Sequence, residues 1–326
     1  MRNKLTLALG EAIFILVTGL LVLYSALFGV PQPNAPEELT FVVPLEANDI
    51  DTVNRLQEQG FIKNTLAFNL VRTLKDYGQI SPGGYNLSKN ENAWLVAYEL
   101  CVQQPDMKWV VIPEGWRKEQ IGEKLAGEFG WSEQELIDWN EKYTAMKFDY
   151  LEGVYFPDTY LIPTSEKNFE VTQRMINRFN EQFGPYVDKF YQKDIQWTTG
   201  LKVASLIQRE TANPDDMPLI SGIIWNRLLT GMKLDIDATL QYAKGKTDGR
   251  WWARVSPEDK DIDSLYNTYT NKGLPPTPIS NPGLDAIEAA LNPAETDCLY
   301  YLHDPAGQIH CAKTYGEHLE NIKKYL

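Results

Sequence analysis

At 326 residues, the chain is long enough for two or three domains, and its formal net charge of −13 argues against a nucleic-acid-binding protein, which needs a clustered basic face. Its three cysteines, Cys101, Cys298 and Cys311, are too few for a disulfide framework. They show no ligand spacing with the three histidines, so we predict no metal and no cofactor.

The first predicted element is a membrane-spanning helix. Residues 12–30 are uncharged and mostly apolar, a run long enough to cross a bilayer. Arg2 and Lys4 precede it, so residues 1–11 are expected in the cytoplasm and the rest of the chain on the outer side of the cytoplasmic membrane. A cleaved signal peptide is the alternative, but no small-x-small cleavage site stands out before Pro31.

Residues 31–39 are a predicted linker, and residues 40–143 a small α/β region. Its predicted strands are Phe41–Val43, Gly83–Leu87 and Trp109–Ile112, and its predicted helices are Asp49–Glu58, Thr65–Asp76, Asn92–Val102, Lys118–Phe129 and Ser132–Tyr143. The matching segments FVVP and VVIP, separated by roughly seventy residues, suggest a two-fold repeat. A strand-helix-helix unit of this size resembles LysM-type glycan-binding modules, although many small α/β folds share the pattern.

Residues 144–326 are predicted to form a mixed α+β domain. Its predicted elements are an ordered loop at Tyr150–Pro163, helices at Phe169–Phe183, Leu284–Leu291 and Tyr315–Leu326, a partly alternating strand at Leu234–Tyr242, a polar excursion at Trp251–Asp263, a proline-rich loop at Gly273–Gly283, and a hairpin of Cys298–Leu302 with Gln308–Ala312. Cys298 and Cys311 flank the hairpin and can pair, but free buried thiols are the prediction.

A further helix in this domain, entered near Leu201, carries the main catalytic candidate. Thr198 or Thr199 is available as its N-cap, and Pro214 excludes helical geometry from the residue before it, which stops the helix. Its apolar residues recur at helical spacing, and Glu210 continues the face that they form.

A glutamate at the inward end of an apolar stripe is partly desolvated. Desolvation raises the pKa of Glu210 toward the range that a general acid requires at neutral pH. The alternative is a helix-end glutamate that pairs with an arginine or faces solvent.

The next helix, from Pro218 to a glycine stop at Gly231, also places a polar residue on an apolar face. Asn226 shares that face with Leu219 and Ile223, so it must find hydrogen-bond partners. Two roles are compatible with this position: Asn226 holds a loop in place, or it contacts substrate.

Five motifs occur in order over residues 150–326: LEGVYFPDTY, ASLIQRET, WNRLLTGMKLDIDATLQYA, YNTYTNKGLPPTPISNPG and AALNPAETDCLYY. Together they resemble the endolytic murein transglycosylases, the MltG-like family; the likeness is looser over the anchor and the LysM-like region. The resemblance implies a single-pass membrane protein with an outer catalytic domain at 144–326. Such a protein cleaves nascent peptidoglycan strands internally, beside peptidoglycan synthases (penicillin-binding proteins).

The resemblance also implies roles for particular residues. The glutamate of ASLIQRET, Glu210, is the catalytic residue. The residues implied to line the substrate cleft are Glu152, Asn226, Gln241, Tyr242, Tyr266 and Asn267. Two positions depart from the family pattern: Gln208 stands where members often have an acidic residue, and Ala238 stands where the family usually has proline.

The implied reaction uses one carboxyl group twice. Protonated Glu210 gives its proton to the glycosidic oxygen, and its carboxylate then takes the proton of the muramyl 6-hydroxyl, which attacks the anomeric carbon to give a 1,6-anhydro end. A hydrolytic muramidase is the alternative. It needs a second carboxylate, with Glu152, Asp158 and Asp237 as candidates, about 5–5.5 Å away for retention or about 6.5–9.5 Å away for inversion. A non-catalytic wall-binding scaffold is the third possibility, although a binder gains nothing from a carboxyl group with a raised pKa.

Overall fold

The computed structural model describes residues 2–35, 37–144, 152–211 and 213–326, with side chains from residue 9 onward. Its first element is helix α1 (Arg2–Phe28). The segment Leu9–Phe28 has a mean hydropathy of 2.2 and none of it is buried, so it is long and apolar enough to span a membrane. The predicted orientation in the membrane depends on Arg2 and Lys4. Their side chains are not among those that the structure describes.

The chain divides into two compact units. One comprises residues up to Val110 together with Tyr160–Glu166, and the other comprises Val111–Thr159 and Lys167–Leu326. The division therefore falls well before the predicted boundary at 143/144, because the two helices that follow Val111 pack within the second unit.

The first unit contains a four-stranded sheet and three further helices. Its strands are β1 (Glu38–Val43), β2 (Gly83–Ser88), β3 (Met107–Val111) and β4 (Thr159–Pro163), and its helices are α2 (Asp49–Glu58), α3 (Thr65–Lys75) and α4 (Ala93–Cys101). The strand order is β1-β2-β3-β4, and antiparallel pairing of β1 with β2 sets Phe41 opposite Tyr85. Both side chains are buried in the core of this unit.

Asparagine caps explain where the helices of the first unit begin. The Oδ1 atom of Asn48 accepts from the Asp51 N–H, and Asn64 and Asn92 cap α3 and α4 in the same way. Such caps satisfy N–H groups that have no partner within the helix. The predicted helices of this unit are accordingly found within one residue of their predicted ends.

Two expectations for this part of the chain differ from the structure. Thr159–Pro163, predicted as the end of an ordered loop, is strand β4; Tyr150, where that loop was predicted to begin, lies outside the described residues. The predicted repeat does not form two separate modules in the described residues, because β3 joins the same sheet as β1.

The second unit is mainly helical. Its helices are α5 (Lys118–Phe129), α6 (Glu133–Asp138), α7 (Asn168–Gln192), α8 (Trp197–Glu210), α9 (Met217–Leu229), α10 (Asp237–Lys244), α11 (Leu284–Leu291) and α12 (Tyr315–Tyr325), and its hairpin pairs β5 (Tyr300–His303) with β6 (Ile309–Ala312). A π-helical turn continues α6 over Trp139–Tyr143, and 3₁₀ turns occur at Pro214–Asp216 and Pro257–Asp261. The predicted α+β class with an N-terminal apolar helix is confirmed.

Helix α8 lies at the centre of the second unit, in contact with α7, α9, α10 and α11. It begins at Trp197 after an N-cap at Gln196, so the predicted cap at Thr198 or Thr199 was wrong. Close packing fixes one residue in its first turns: a Cβ at Gly200 would lie 2.5 Å from the Phe190 ring.

The predicted strand at Leu234–Tyr242 was wrong, because most of this segment is helix α10. Asp235 has a left-handed φ of 51°, which breaks the extended path. The Thr239 hydroxyl donates to the Ile236 carbonyl at 2.6 Å and secures the first turn. The short alternation of polar residues had the period of a strand only by coincidence.

The prediction of free thiols at Cys298 and Cys311 was also wrong. The two form a disulfide with a Cα–Cα separation of 5.9 Å. The Leu299 N–H donates to the Ala312 carbonyl, so the chain entering β5 runs beside β6 and brings the two cysteines together. Cys101 is free.

Candidate active site

Glu210 is the last residue of α8 and lies where the helix leaves the core. Val203, Leu206 and Ile207 on the same face are fully buried, as their spacing predicts, and Glu210 is partly buried. Burial raises the pKa of Glu210 above its usual range because the charged form loses hydration. The negative end of the helix dipole acts in the same direction.

Two donors from other elements hold the Glu210 carboxyl group. The Tyr301 hydroxyl on β5 donates to Oε2 at 2.6 Å, and the Ala238 N–H in the first turn of α10 donates to the same group. Both hydrogen bonds favour the carboxylate and so lower the pKa of Glu210, against the larger effect of burial. The Ala238 N–H is available because the first N–H groups of a helix have no partner within it.

Asp237 is the carboxylate whose charge acts on Glu210. Its negative charge further raises the pKa of Glu210, although less than burial does. Asp237 is exposed at the start of α10, and the Tyr269 hydroxyl donates to its Oδ1 at 2.7 Å. Site residues from α8, α10 and β5 therefore meet around one carboxyl group.

A second buried carboxyl group lies at Glu152, which is 1% exposed. Its Oε1 accepts from the Lys118 N–H at 3.0 Å and from Asn281 Nδ2 at 2.9 Å, and the Tyr242 hydroxyl donates to Oε2 at 3.3 Å. Burial first, and then the charge of Glu119, raise the pKa of Glu152 to about 8. This group binds three separate segments together at the start of α5.

Asn281 explains why the proline-rich loop is ordered. Its buried side chain donates to the Trp116 carbonyl at 2.9 Å and to Glu152, and accepts from the Tyr155 N–H at 2.8 Å. The same loop is bound to α8, since the Ser205 hydroxyl accepts from the Ile279 N–H at 3.1 Å. The loop thus links Glu152 to the helix that carries Glu210.

Aromatic rings and guanidinium groups connect the two carboxyl sites. The Tyr242 ring lies 4.7 Å from Tyr266 and 6.5 Å from Trp252, measured between centroids. The Arg117 guanidinium lies 4.1 Å from the Tyr242 centroid, and that of Arg209 lies 3.9 Å from the Trp252 centroid. Aromatic rings clustered in this way present flat apolar faces.

The remaining predicted cleft residues are engaged with backbone carbonyls. Asn226 Nδ2 donates to Thr296 at 2.7 Å, and the fully buried Asn267 donates to the Lys260 and Ile262 carbonyls. Gln241 Nε2 donates to the Trp252 and Ala253 carbonyls and so holds the turn that carries Trp252. These contacts organise loops; substrate contact by the three amides stays a prediction.

The sequence reasoning did not identify Tyr301, Ala238, Arg209, Trp252 and Asn281. The Arg209 guanidinium lies over the Trp252 ring. The signal for Tyr301 was present in the motif that ends LYY, but its partner lies 91 residues away in sequence. Among the described residues, no cluster of three His, Cys, Asp or Glu side chains is arranged to hold a metal.

Comparison with known proteins agrees with the five motifs. A model of the YceG-like family matches residues 41–324. A Bacillus subtilis protein named endolytic murein transglycosylase is 30% identical, over 83% of this chain and 80% of its own length. Two Streptococcus pneumoniae proteins of the same name are each 28% identical over 90% of this chain.

The structure also has a solved counterpart. The crystal structure of a putative YceG-like protein from Listeria monocytogenes superposes with a TM-score of 0.60 at 26% identity, covering 87% of this chain and 99% of that one. The chain spans 59% of the length of the two streptococcal proteins.

Proposed function

Because the chain belongs to the YceG-like family, we propose that it is an endolytic lytic transglycosylase of peptidoglycan. It cleaves the bond between N-acetylmuramic acid and N-acetylglucosamine within glycan strands and leaves 1,6-anhydro ends. The observation that carries this proposal is the Glu210 carboxyl group, whose pKa burial raises and which Tyr301 holds in place. The names of the bacterial relatives support the substrate class.

The surroundings of Glu210 suit a group that acts as acid and then as base. The raised pKa keeps the proton available for the glycosidic oxygen. Once the proton has left, Tyr301 and the Ala238 N–H stabilise the carboxylate, which then accepts the proton of the muramyl 6-hydroxyl. One bond to the leaving sugar breaks, one intramolecular C–O bond forms, and no water is consumed.

The hydrolytic alternative depends on Asp237. Of the three carboxylates considered from the sequence, Asp158 is bound to Arg178 at 2.6 Å, and Glu152 is buried among its own hydrogen-bond donors. Asp237 alone of these three acts on the pKa of Glu210, and it is exposed. A muramidase would use this pair, with water as the nucleophile.

For substrate binding, the residues that support a cleft are Tyr242 and Tyr266, whose rings lie 4.7 Å apart, and Glu152, which accepts from the Tyr242 hydroxyl. Gln241, Asn226 and Asn267 are proposed to line the same cleft. Their side chains also donate to backbone carbonyls and so hold the neighbouring loops in place.

The wider setting is proposed from the anchor and the family. Helix α1 holds the chain in the cytoplasmic membrane with the second unit on the outer side, where it meets nascent strands and the synthases that make them. Residues 40–143 act as a LysM-like glycan-binding region, an idea supported by the strand-helix-helix order of β1, α2 and α3.

The test uses the full-length protein in detergent micelles with purified long glycan strands. Glu210→Gln keeps the size of the side chain but supplies neither proton nor base, so cleavage should fall by roughly two to four orders of magnitude. Chain length is followed by chromatography, and binding of intact strands serves as the control for folding. A Gln variant that cleaves at the wild-type rate would remove Glu210 from the reaction.

A further inference from the structure

Arg209, the residue before the catalytic candidate, is a partly buried cation without a carboxylate partner among the described residues. Its guanidinium lies over the Trp252 ring at 3.9 Å, and its hydrogen bond to the Gly115 carbonyl is long at 3.5 Å. Its Nε is buried and has no hydrogen-bond partner within the part of the chain that the structure describes. A guanidinium offers five N–H donors, so most of the binding capacity of this group is unused.

Other arginines of the same unit are bound differently. Arg117 also stacks on an aromatic ring, but its Nε pairs with Glu119 at 2.6 Å. Arg227 donates to the Leu299 carbonyl at 2.6 Å and lies 3.9 Å from Asp235. Arg209 has no such ion pair: the charge of the neighbouring Glu210 offsets only part of the cost of its burial, and desolvation lowers the pKa of Arg209. An unpaired group in a native site requires an explanation.

Trp252, the ring beside the Arg209 guanidinium, is itself held in place by other residues. Gln241 holds the turn of Trp252 through the Trp252 and Ala253 carbonyls, and Trp252 Nε1 donates to Gln120 on α5 at 2.8 Å. The Trp252 backbone is left-handed, with φ of 60°. A guanidinium that lies over a ring can still donate through its N–H groups, and their fork geometry matches a carboxylate.

We propose that Arg209, held by Trp252, binds a carboxylate that the muramyl sugar carries on its O-3 substituent. This assignment deepens the proposed function and rests on it. The O-3 substituent of the muramyl residue ends in a free lactyl carboxylate in peptide-free strands, and it carries the carboxylates of the stem peptide in substituted strands. Either source places an anion beside the bond that Glu210 is proposed to break. Arg209 then selects which muramyl residue enters the site.

The experiment measures binding in the non-cleaving Glu210→Gln background, using the full-length protein in detergent micelles. The probes are peptide-free and peptide-bearing glycan oligosaccharides, each prepared with free carboxylates and with the carboxylates converted to methylamides. Arg209→Met should weaken the binding of one free-acid probe about tenfold, because a charge-assisted bidentate contact is lost. The affinity for the methylamide form of the same probe should not change. The probe that responds identifies the lactyl or the peptide carboxylate as the ligand.

The matched control is Arg254→Met, which removes the same charge at an exposed position of the polar excursion that carries Trp252. The carboxylate site would be overturned by any of three results: an equal loss of affinity for acid and amide probes, no loss of affinity for any probe, or the same loss of affinity in the Arg254 variant. Cleavage of all the unmodified strands by the wild-type enzyme is measured in parallel. If the wild type cleaves none, the proposed function fails; if it cleaves and only the acid–amide difference is missing, the carboxylate site alone fails.

Discussion

Opposing influences act on the single carboxyl group of Glu210. Burial and the charge of Asp237 favour its protonated form, whereas the Tyr301 hydroxyl and the Ala238 N–H favour its carboxylate. A residue that first donates and later accepts a proton needs both forms within reach near neutral pH. The balance can be moved in either direction by a single substitution, and this gives the residue-scale predictions.

Tyr301→Phe removes the hydroxyl that donates to Glu210 and should raise the pKa of Glu210 further. The acid must be protonated to begin the reaction, so the fall in rate on the alkaline side should move to higher pH. The maximal rate should also decrease, since the carboxylate loses a charge-assisted hydrogen bond in the second half of the reaction. The measurement is the pH profile of glycan cleavage, and an unmoved alkaline limb would contradict the role of Tyr301.

Asp237→Asn should shift the same profile in the opposite direction. Removing the neighbouring negative charge lowers the pKa of Glu210, so the alkaline limb should move to lower pH. The products should stay 1,6-anhydro ends, because Asp237 is not required as a nucleophile or base. Complete loss of cleavage at every pH would instead favour the hydrolytic pair of Glu210 and Asp237.

At the scale of secondary-structure elements, the site depends on how loops and the hairpin are tied to α8. The β5–β6 hairpin carries Tyr301, and the disulfide between Cys298 and Cys311 closes it. The proline-rich loop is held through Asn281 and Glu152. The disulfide and the hydrogen bonds of Glu152 can both be tested by substitutions that leave Glu210 unchanged.

Replacing Cys298 and Cys311 together by serine should reduce the stability of the second unit by about 3 kcal/mol, since the bond restrains a short loop in the unfolded chain. Hydrogen exchange of β5 and β6 measures the effect, which should be concentrated in the hairpin. Cys101→Ser, at the free cysteine of the first unit, is the matched control and should leave hairpin protection unchanged. Unaltered protection in the double variant would show that the disulfide does not support the hairpin.

Glu152 makes stability depend on pH in a defined direction. Its pKa rises from 4.5 to about 8 on folding, so the folded state binds this proton more tightly than the unfolded state. The stabilisation is complete below about pH 4.5 and is lost as the pH rises through about 8.

Glu152→Gln cannot ionise and should flatten the fall in melting temperature between pH 5 and 8, the window set by the shift from 4.5 to about 8. Glu133→Gln, at an exposed position of α6, should not change the fall in melting temperature over the same pH range. An equally steep fall in the Glu152 variant would mean that another group titrates.

At the scale of the whole molecule, local sequence signals predicted the bounds of several helices, whereas contacts between residues far apart in the sequence were not predicted. The observed bounds of α2, α5 and α11 match the predicted ones, and the inward placement of Glu210 follows from the helical spacing of its apolar neighbours. The partnership of Tyr301 with Glu210 could not be predicted, because the hairpin position depends on packing across the unit. The position of β4 in the first sheet could not be predicted either, because β4 joins that sheet from far along the chain.

The most direct test of the proposed reaction is the chemistry of the new strand ends. Full-length wild-type protein is incubated with purified glycan strands in ¹⁸O-labelled water, and the ends are analysed by mass spectrometry. Intramolecular attack by the 6-hydroxyl predicts muramyl ends that lack one water and contain no ¹⁸O. Ends that carry a reducing sugar with incorporated ¹⁸O would show hydrolysis and contradict the transglycosylase assignment.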